Sequence, residues 1–515
     1  MFQVKQKTPV ILTLIAACSL LAACTGDGAA GVPGAPPPAS TSANIVFSVV
    51  TGGFTGSIQL IKEDGTGLVT LTNSTIAGAY AFNGVAPNGR VVYTAFVNGV
   101  CGTNCDPVLY SVNADGTGTV LLATSARYSG ITPGGQVIYS TFVGPAEVGQ
   151  SDLYSVNADG TGTAPLANSG NGESFRGITP GGRVIYSMNV GGQSDLYSVN
   201  ADGTGTVVLA NSTDVEDPGF FADFSGGITP DGRVIYARYV GNSHLDIYSV
   251  NADGTGTVVL ANTTGHEYFR GITPDGRVIY EWEDGGTFDG GQDLYIVNAD
   301  GTGTTILANS TDIERFAGIT SGGRVIYQRF TGAGLSGADL YSVNTDGTGT
   351  ATLANSADTE GFVGITPGGR VIYSRVVSAS LYDLYSVNAD GSGTVVLSMG
   401  HLIPPGGSDP IAITADGRVV FSKLVAGTQQ SDLYSINADG TGLVVLANSP
   451  DIEVIITRLN SDGRPVNSVT PGGRVIYERR PVSNFQTDIY IVNADGMGTT
   501  VLANSADMEV YEGFF

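Results

Sequence analysis

DLYSVNADGTGT stands at Asp152 to Thr163 and again at Asp195 to Thr206, and close variants recur in eight further places. The ten DGTG-like turns run from Asp64 to Asp495 at a spacing of about 48 residues, which marks the chain as a repeat array. Within one unit, Leu196 and Ser198 fall on one face of an extended segment and Tyr197 and Val199 on the other, a period-two pattern suited to a strand packed on both sides. Asn200-Ala201-Asp202-Gly203 ends that strand, because Asp-Gly and the following Thr-Gly supply the positive-φ positions of a hairpin turn. The β-branched and apolar run Thr206 to Ala210 is then the partner strand.

A second hairpin accompanies the first. GITPGGRVIYS at Gly177 to Ser187 has relatives at Gly84, Gly130, Gly227, Gly271, Gly318 and Gly364, with looser ones at Ala412 and Val469. Pro180 presets the first corner of a turn and Gly181-Gly182 permit the second, so strands flank it. Two hairpins give four strands per repeat, and a four-stranded unit of 40 to 50 residues repeated many times is the signature of a propeller blade. The fold class expected is therefore all-β: a β-propeller of four-stranded antiparallel blades, about ten in one ring.

The ends of the array carry the closure. Asn44 to Ser48 matches the RVIYS strand but lacks a preceding ITPGG strand, and Asp507 to Phe515 aligns with Asp358 to Thr366 and stops where an innermost strand stops. The first blade is thus expected to take three strands from the N-terminal side and one from the C-terminal side, leaving no open sheet edge.

Upstream, residues 1–24 carry Lys5 and Lys7, an apolar run from Val10 to Ala23 and then Leu21-Ala22-Ala23-Cys24. That run is too short to span a bilayer and reads as a secretory signal. LAAC resembles the bacterial lipoprotein lipobox, which implies lipidation at Cys24; Thr25 after it implies an outer-membrane anchor, with the body on the periplasmic or cell-surface side. Residues 25–43 are Gly, Ala, Pro and Ser and read as a flexible tether, and 44–515 as one folded body. Of the remaining cysteines, Cys101 and Cys105 in CGTNC are expected to close a small disulfide loop in an oxidising compartment.

The pairing of ITPDGRVIY with DLY-VNADG resembles the WD40-like repeat of the TolB family. The resemblance covers the chain after Ser42, although ten repeats exceed the six blades of that family and its smaller N-terminal domain has no counterpart. It implies a non-catalytic envelope protein that binds a protein or peptide partner.

A formal charge of −24, or −26 without Lys5 and Lys7, disfavours a nucleic-acid partner and suits cationic ones. The blade-to-blade loops repeat an acidic pair, Asp214 and Glu216, Asp312 and Glu314, Asp358 and Glu360, Asp451 and Glu453, Asp507 and Glu509. These are the candidate binding residues of the variable loop face, set against the simpler reading of solvated acids that cap turns. Arg176, Arg270 and Arg315 are read as neutralising them. The NADGTG turns alternate acceptors as a calcium loop does, but no closing acid follows, and a hairpin explains them without an ion. His244, His266 and His401 fall in separate segments, and G-x-S-x-G, HExxH and phosphate-loop patterns are absent. No catalytic residue and no cofactor are therefore expected. The alternative is a carbohydrate-binding or carbohydrate-cleaving propeller, with a divalent cation near Glu281, Glu283 and Asp284.

Overall fold

The computed structural model describes residues 43–51, 54–72, 78–97, 106–143, 150–216, 227–241, 243–284, 291–332, 336–378, 381–402, 411–425, 427–456, 467–482 and 486–515. The leader, Cys24, nearly all of the tether, and Cys101 and Cys105 lie outside the described residues. Every regular element within them is a strand.

Blade 4 shows the plan. Glu173–Ile178, Arg183–Val190, Gln193–Asn200 and Val207–Ala210 lie in sequence order across one antiparallel sheet. Tyr186 sits opposite Tyr197, and the two rings stack with centroids 5.4 Å apart. The alternation in the sequence becomes two buried faces: Leu196 packs with Tyr236 and Val250 of blade 5, while Tyr186 and Val199 pack with Ile138 and Leu153 of blade 3. Each fully buried Val or Leu contributes about 1.5–3 kcal/mol of hydrophobic stabilisation. The core is thus a series of similar wedges between consecutive sheets, which is why repeating one sequence repeats one structure.

Ten such blades are present among the described residues. The inner strand of blade 5 is seen in two pieces, Val215–Glu216 and Gly227–Ile228, and blades 9 and 10 touch through a single parallel pairing of Ser431 with Ile452. The first strand of each blade lies nearest the axis, where neighbours crowd. Gly130 abuts Phe175 and Ile178 of the next blade, Gly177 abuts Ile228, and a Cβ on Gly227 would lie 2.6 Å from the Phe269 ring. The glycine of GITP is required by this close approach of the neighbouring blade.

The ring closes as expected. Blade 1 takes Asn44–Thr51, Phe54–Lys62 and Val69–Thr70 from one end of the body and Met508–Phe514, as its inner strand, from the other. Ile45 pairs with Phe514 and Val50 with Met508, and Asn44 and Phe515 exchange backbone hydrogen bonds of 2.9 and 3.0 Å. Phe47 and Tyr511 share a core with Ile476, Ile491 and Leu502 of blade 10, while Val46 and Leu60 share one with Tyr80 and Val91 of blade 2.

Candidate functional site

Most polar side chains belong to the blade and must be set aside first. At the turn end, Arg183 donates from Nη1 to Asn200 Oδ1 at 2.7 Å and from Nη2 to the Gly205 carbonyl at 2.8 Å, and Ser198 Oγ donates to the Ala252 carbonyl of blade 5 at 2.6 Å. Arg233, Arg324, Arg370 and Arg418 repeat the first two bonds, so these arginines lock the two hairpins together. Asp202 Oδ1 accepts from the Thr204 N–H and hydroxyl, an arrangement shared by Asp64, Asp115, Asp159, Asp253, Asp300, Asp346 and Asp439. These hydrogen bonds hold the turn carboxylates below their ordinary pKa.

The acidic pairs of the loop end need correction. Glu216, Glu314, Glu360, Glu453 and Glu509 are at most 1% exposed, as are Glu173 and Glu267 in the same position of their blades. Each accepts hydrogen bonds from the backbone N–H and hydroxyl of the Ser or Thr four residues earlier, so the motif is S/T-x-x-x-E, a buried loop clasp rather than a surface acid. Burial raises all seven carboxyls. Three of the aspartates are also engaged: Asp214, Asp358 and Asp451 face Arg238, Arg375 and Arg479 of their own blades at 3.7, 3.8 and 2.8 Å, whereas Asp312 lies where its charge opposes ionisation of Asp339 and Tyr341. The glutamates of the pairs are therefore withdrawn from the loop surface and cannot form an acidic recognition ring. Arg176, Arg270 and Arg315 do not neutralise them either; their Nε groups are 3.1 Å from Ser187, 2.7 Å from Glu281 and 3.4 Å from Gln292.

What remains is a cleft between blades 6 and 7. His266, Tyr268 and Arg270 lie on the inner strand His266–Ile272, opposite Glu283 and Glu281 of Val278–Glu283, and Gln292 pairs with Glu283 from the third strand. Period-two geometry brings His266, Tyr268, Glu281, Glu283 and Gln292 to one face of the sheet. That face meets blade 7. Glu281, 1% exposed, accepts from Arg270 Nε at 2.7 Å and from the Phe316 N–H at 2.8 Å, and Gln292 bridges Glu283 Oε2, at 3.0 Å, to Arg315. Burial and the neighbouring Glu283, to which its hydroxyl is bonded, keep the Tyr268 phenol protonated. His266 stacks on Tyr268 with centroids 5.8 Å apart, and its Nδ1 is buried without a hydrogen-bond partner among the described residues. Chemically the cleft offers two guanidinium groups, a proton donor, an imidazole and two carboxylates.

Sequence reasoning placed Glu281, Glu283 and Asp284 near a divalent cation, in the alternative reading, and did not single out Gln292. The structure puts Glu281, Glu283 and Gln292 in strands, and no group of three His, Cys, Asp or Glu suited to a metal occurs among the described residues. The usable signal was departure from the repeat. Glu281 stands where Ser187 and Ser374 stand in their blades, Glu283 where Phe330 and Val376 stand, and Gln292 where Ser194 and Ala338 stand. A second signal is positional: inner strands carry Arg127, Arg176, Arg270 and Arg315 on blades 3, 4, 6 and 7, whereas blades 8 to 10 carry Val363, Ile411 and Ile456 near the same level.

No family model matches this chain, nor does any curated protein. Many solved structures share its fold. Dipeptidyl peptidase 4 of Porphyromonas gingivalis is 11% identical with a TM-score of 0.43, covering 72% of this chain and 62% of its own. Oligogalacturonate lyase in complex with manganese is 12% identical with a TM-score of 0.35, covering 73% and 97%. A TolB described from Agrobacterium tumefaciens is 16% identical with a TM-score of 0.28, covering 53% and 91%, in keeping with a TolB-like propeller fold. The chain spans less than two thirds of the length of four enzymes among these matches, 44% of tricorn protease, 62% of the dipeptidyl peptidase, 58% of puromycin hydrolase and 55% of a prolyl endopeptidase. Against the expectation of a non-catalytic protein binder stand the enzymes among these matches, which include tricorn protease, the dipeptidyl peptidase, puromycin hydrolase, prolyl endopeptidases and oligogalacturonate lyase. At such identities the likeness shows the fold alone, and the activity is argued below from this chain's own side chains.

Proposed function

We propose that this propeller binds an acidic oligosaccharide along the inner strands of blades 3 to 7 and cleaves it in the cleft between blades 6 and 7. The observation that carries this reading is the arc of Arg127, Arg176, Arg270 and Arg315 at the axis of a chain whose formal charge is −24. Cations concentrated on one side of a channel favour an extended anion, and planar guanidinium groups match the carboxylates of uronic acids. Within the cleft, Arg270 and Arg315 hold a sugar carboxylate and thereby acidify the adjacent carbon–hydrogen bond. His266 takes that proton, the bond to the neighbouring sugar's oxygen breaks, and Tyr268 protonates the departing oxygen. The products are an unsaturated sugar and a new hydroxyl, with no water consumed. We read the leader and Cys24 as placing this activity in the cell envelope.

The test is a panel of oligogalacturonate, alginate and glycosaminoglycan fragments, with ultraviolet absorbance reporting the unsaturated product. Wild type is expected to bind at least one in a salt-dependent manner. Arg176→Ala and Arg315→Ala should weaken binding, while Tyr268→Phe should lower turnover about 100-fold with little change in binding. Absence of binding to every polyanion, or binding indifferent to both arginine substitutions, overturns the reading. Binding without turnover retains the oligosaccharide and removes the cleavage step.

A further inference from the structure

Four blades seat an arginine over a tyrosine in the same way. Arg238, Arg329, Arg375 and Arg479 occupy one position of the second strand, and their guanidinium carbons lie 4.3, 4.4, 4.6 and 5.8 Å from the ring centroids of Tyr248, Tyr341, Tyr385 and Tyr490. The aspartate two residues before the tyrosine forms the wall of the seat: Arg238 pairs across the strands with Asp246, Arg329 with Asp339, Arg375 with Asp383 and Arg479 with Asp488. The seat is therefore defined by chemistry, an aromatic face beneath and a carboxylate beside a planar cation.

Blade 9 keeps the seat and lacks the occupant. Lys423 stands at the arginine position, opposite Asp432, and Tyr434 supplies the ring and donates to Asp432 Oδ2 at 3.2 Å. Lysine is too compact to lie flat on the ring, and its ammonium turns to the Met399 carbonyl at 2.8 Å. The loop approaching from blade 8 also differs. Ser398-Met399-Gly400-His401 replaces the segment that in the four sister blades leads to D-x-E, so among the described residues no loop carboxylate reaches this space. A cavity of about 290 Å³ results, lined by Tyr434, Asp432, Phe421, Lys423, Leu397 and Ser398. In blade 4 the same position holds Met188 and in blade 6 Trp282, apolar side chains without a charge to place.

We propose that the cavity between blades 8 and 9 is a binding site for a guanidinium cation, which completes from outside the arrangement that four sister blades complete with their own arginine. Asp432 takes the N–H donors, Tyr434, backed by the stacked Phe421 ring, takes the planar face, and the alkyl chain runs along Leu397. The acidic charge of the protein raises the local concentration of such a cation. The group could arrive on a small molecule or on an arginine side chain, and the two sources share one chemistry.

Isothermal titration of the full chain with agmatine, and separately with an amidated arginine tripeptide, tests this. Saturable binding with a Kd on the order of 1 mM is expected from one stacked, carboxylate-paired cation. Putrescine, which carries an ammonium in place of the guanidinium, should bind at least tenfold more weakly. The tighter of the two guanidinium probes identifies the source. Lys423→Arg is the decisive variant, since it installs the resident cation of the sister blades; it should fold with an unchanged melting temperature and abolish binding. Asp432→Asn should also abolish it. No saturation by either probe, equal binding of putrescine, or full binding by Lys423→Arg overturns the proposal.

Discussion

The two ends of each blade use the same residue types for opposite purposes. At the turn end, Arg183, Arg233, Arg324, Arg370 and Arg418 each bond an asparagine and a glycine carbonyl in one fixed pattern, and only blade 3 among the blades with this hairpin replaces the arginine, with Gln136. At the loop end, one position holds Arg238, Arg329, Arg375 and Arg479 but also Met188, Trp282 and Lys423. Where the repeat is strict, the side chain serves the sheet. Where it relaxes, neighbouring blades stop being equivalent and clefts with distinct chemistry open between them. The difference teaches that function in such an array is sought in departures from the repeat, not in its most frequent acids.

The sharpest way to break the comparison is to remove the one strand that belongs to both chain ends. Deleting Val510 to Phe515 takes away the inner strand of blade 1 and, with it, Tyr511, which is fully buried between blades 1 and 10. Loss of a core aromatic alone costs about 3–5 kcal/mol, and the deletion also removes the partner of Ile45 to Ser48 on the inner edge of Asn44–Thr51, which keeps only its pairing with Phe54–Lys62. A large drop in melting temperature with aggregation is expected; an unchanged melting curve and a monomeric elution profile would refute closure as a source of stability.

A smaller effect sharpens the contrast between ends. Arg370→Ala removes side-chain bonds to Ser386, Asn388 and Gly393 and should cost about 2 kcal/mol in chemical denaturation, with ligand binding intact. Arg176→Ala, on the exposed part of an inner strand, should change stability by less than about 0.5 kcal/mol yet weaken capture of an acidic glycan. If the two variants behave alike, the division between structural and functional arginines fails.

The blade count, the hairpins and the shared first blade were legible because turns and alternation are local signals: Asp-Gly, Pro-Gly-Gly and the Tyr-x-Val pattern act within a few residues of themselves. Burial of the loop glutamates was not. Glu360 reads as a surface acid because its sequence neighbourhood, Ser-Ala-Asp-Thr-Glu, is polar, and only the packing of one sheet on the next covers it. The Ser four residues earlier was the available clue. The blade 6 cleft was half legible: Glu281 and Glu283 stood out by composition, but their partners Arg270, Gln292 and Arg315 converge through strand register and a neighbouring blade.

The subtlest prediction concerns pH, because the two ends titrate in opposite senses. Glu173, Glu216, Glu267, Glu314, Glu360, Glu453 and Glu509 have carboxyls raised by burial, so the folded state binds protons that the unfolded chain releases. Their contribution to stability grows as pH falls from neutrality through the raised values and levels off near the ordinary glutamate pKa of about 4.3. The turn aspartates are lowered, chiefly by their threonine hydroxyls; what they contribute is present above the ordinary aspartate value of about 3.9 and is lost as pH falls through the lowered one. The melting temperature should therefore peak at about pH 4 to 5 rather than at neutrality. Glu360→Gln replaces one titrating clasp with a neutral isostere, so its gain in melting temperature between pH 7 and pH 5 should be smaller than that of wild type. An equal gain would mean that Glu360 is solvated and ionised like any surface acid, and the loop end would lose its distinction from the turn end.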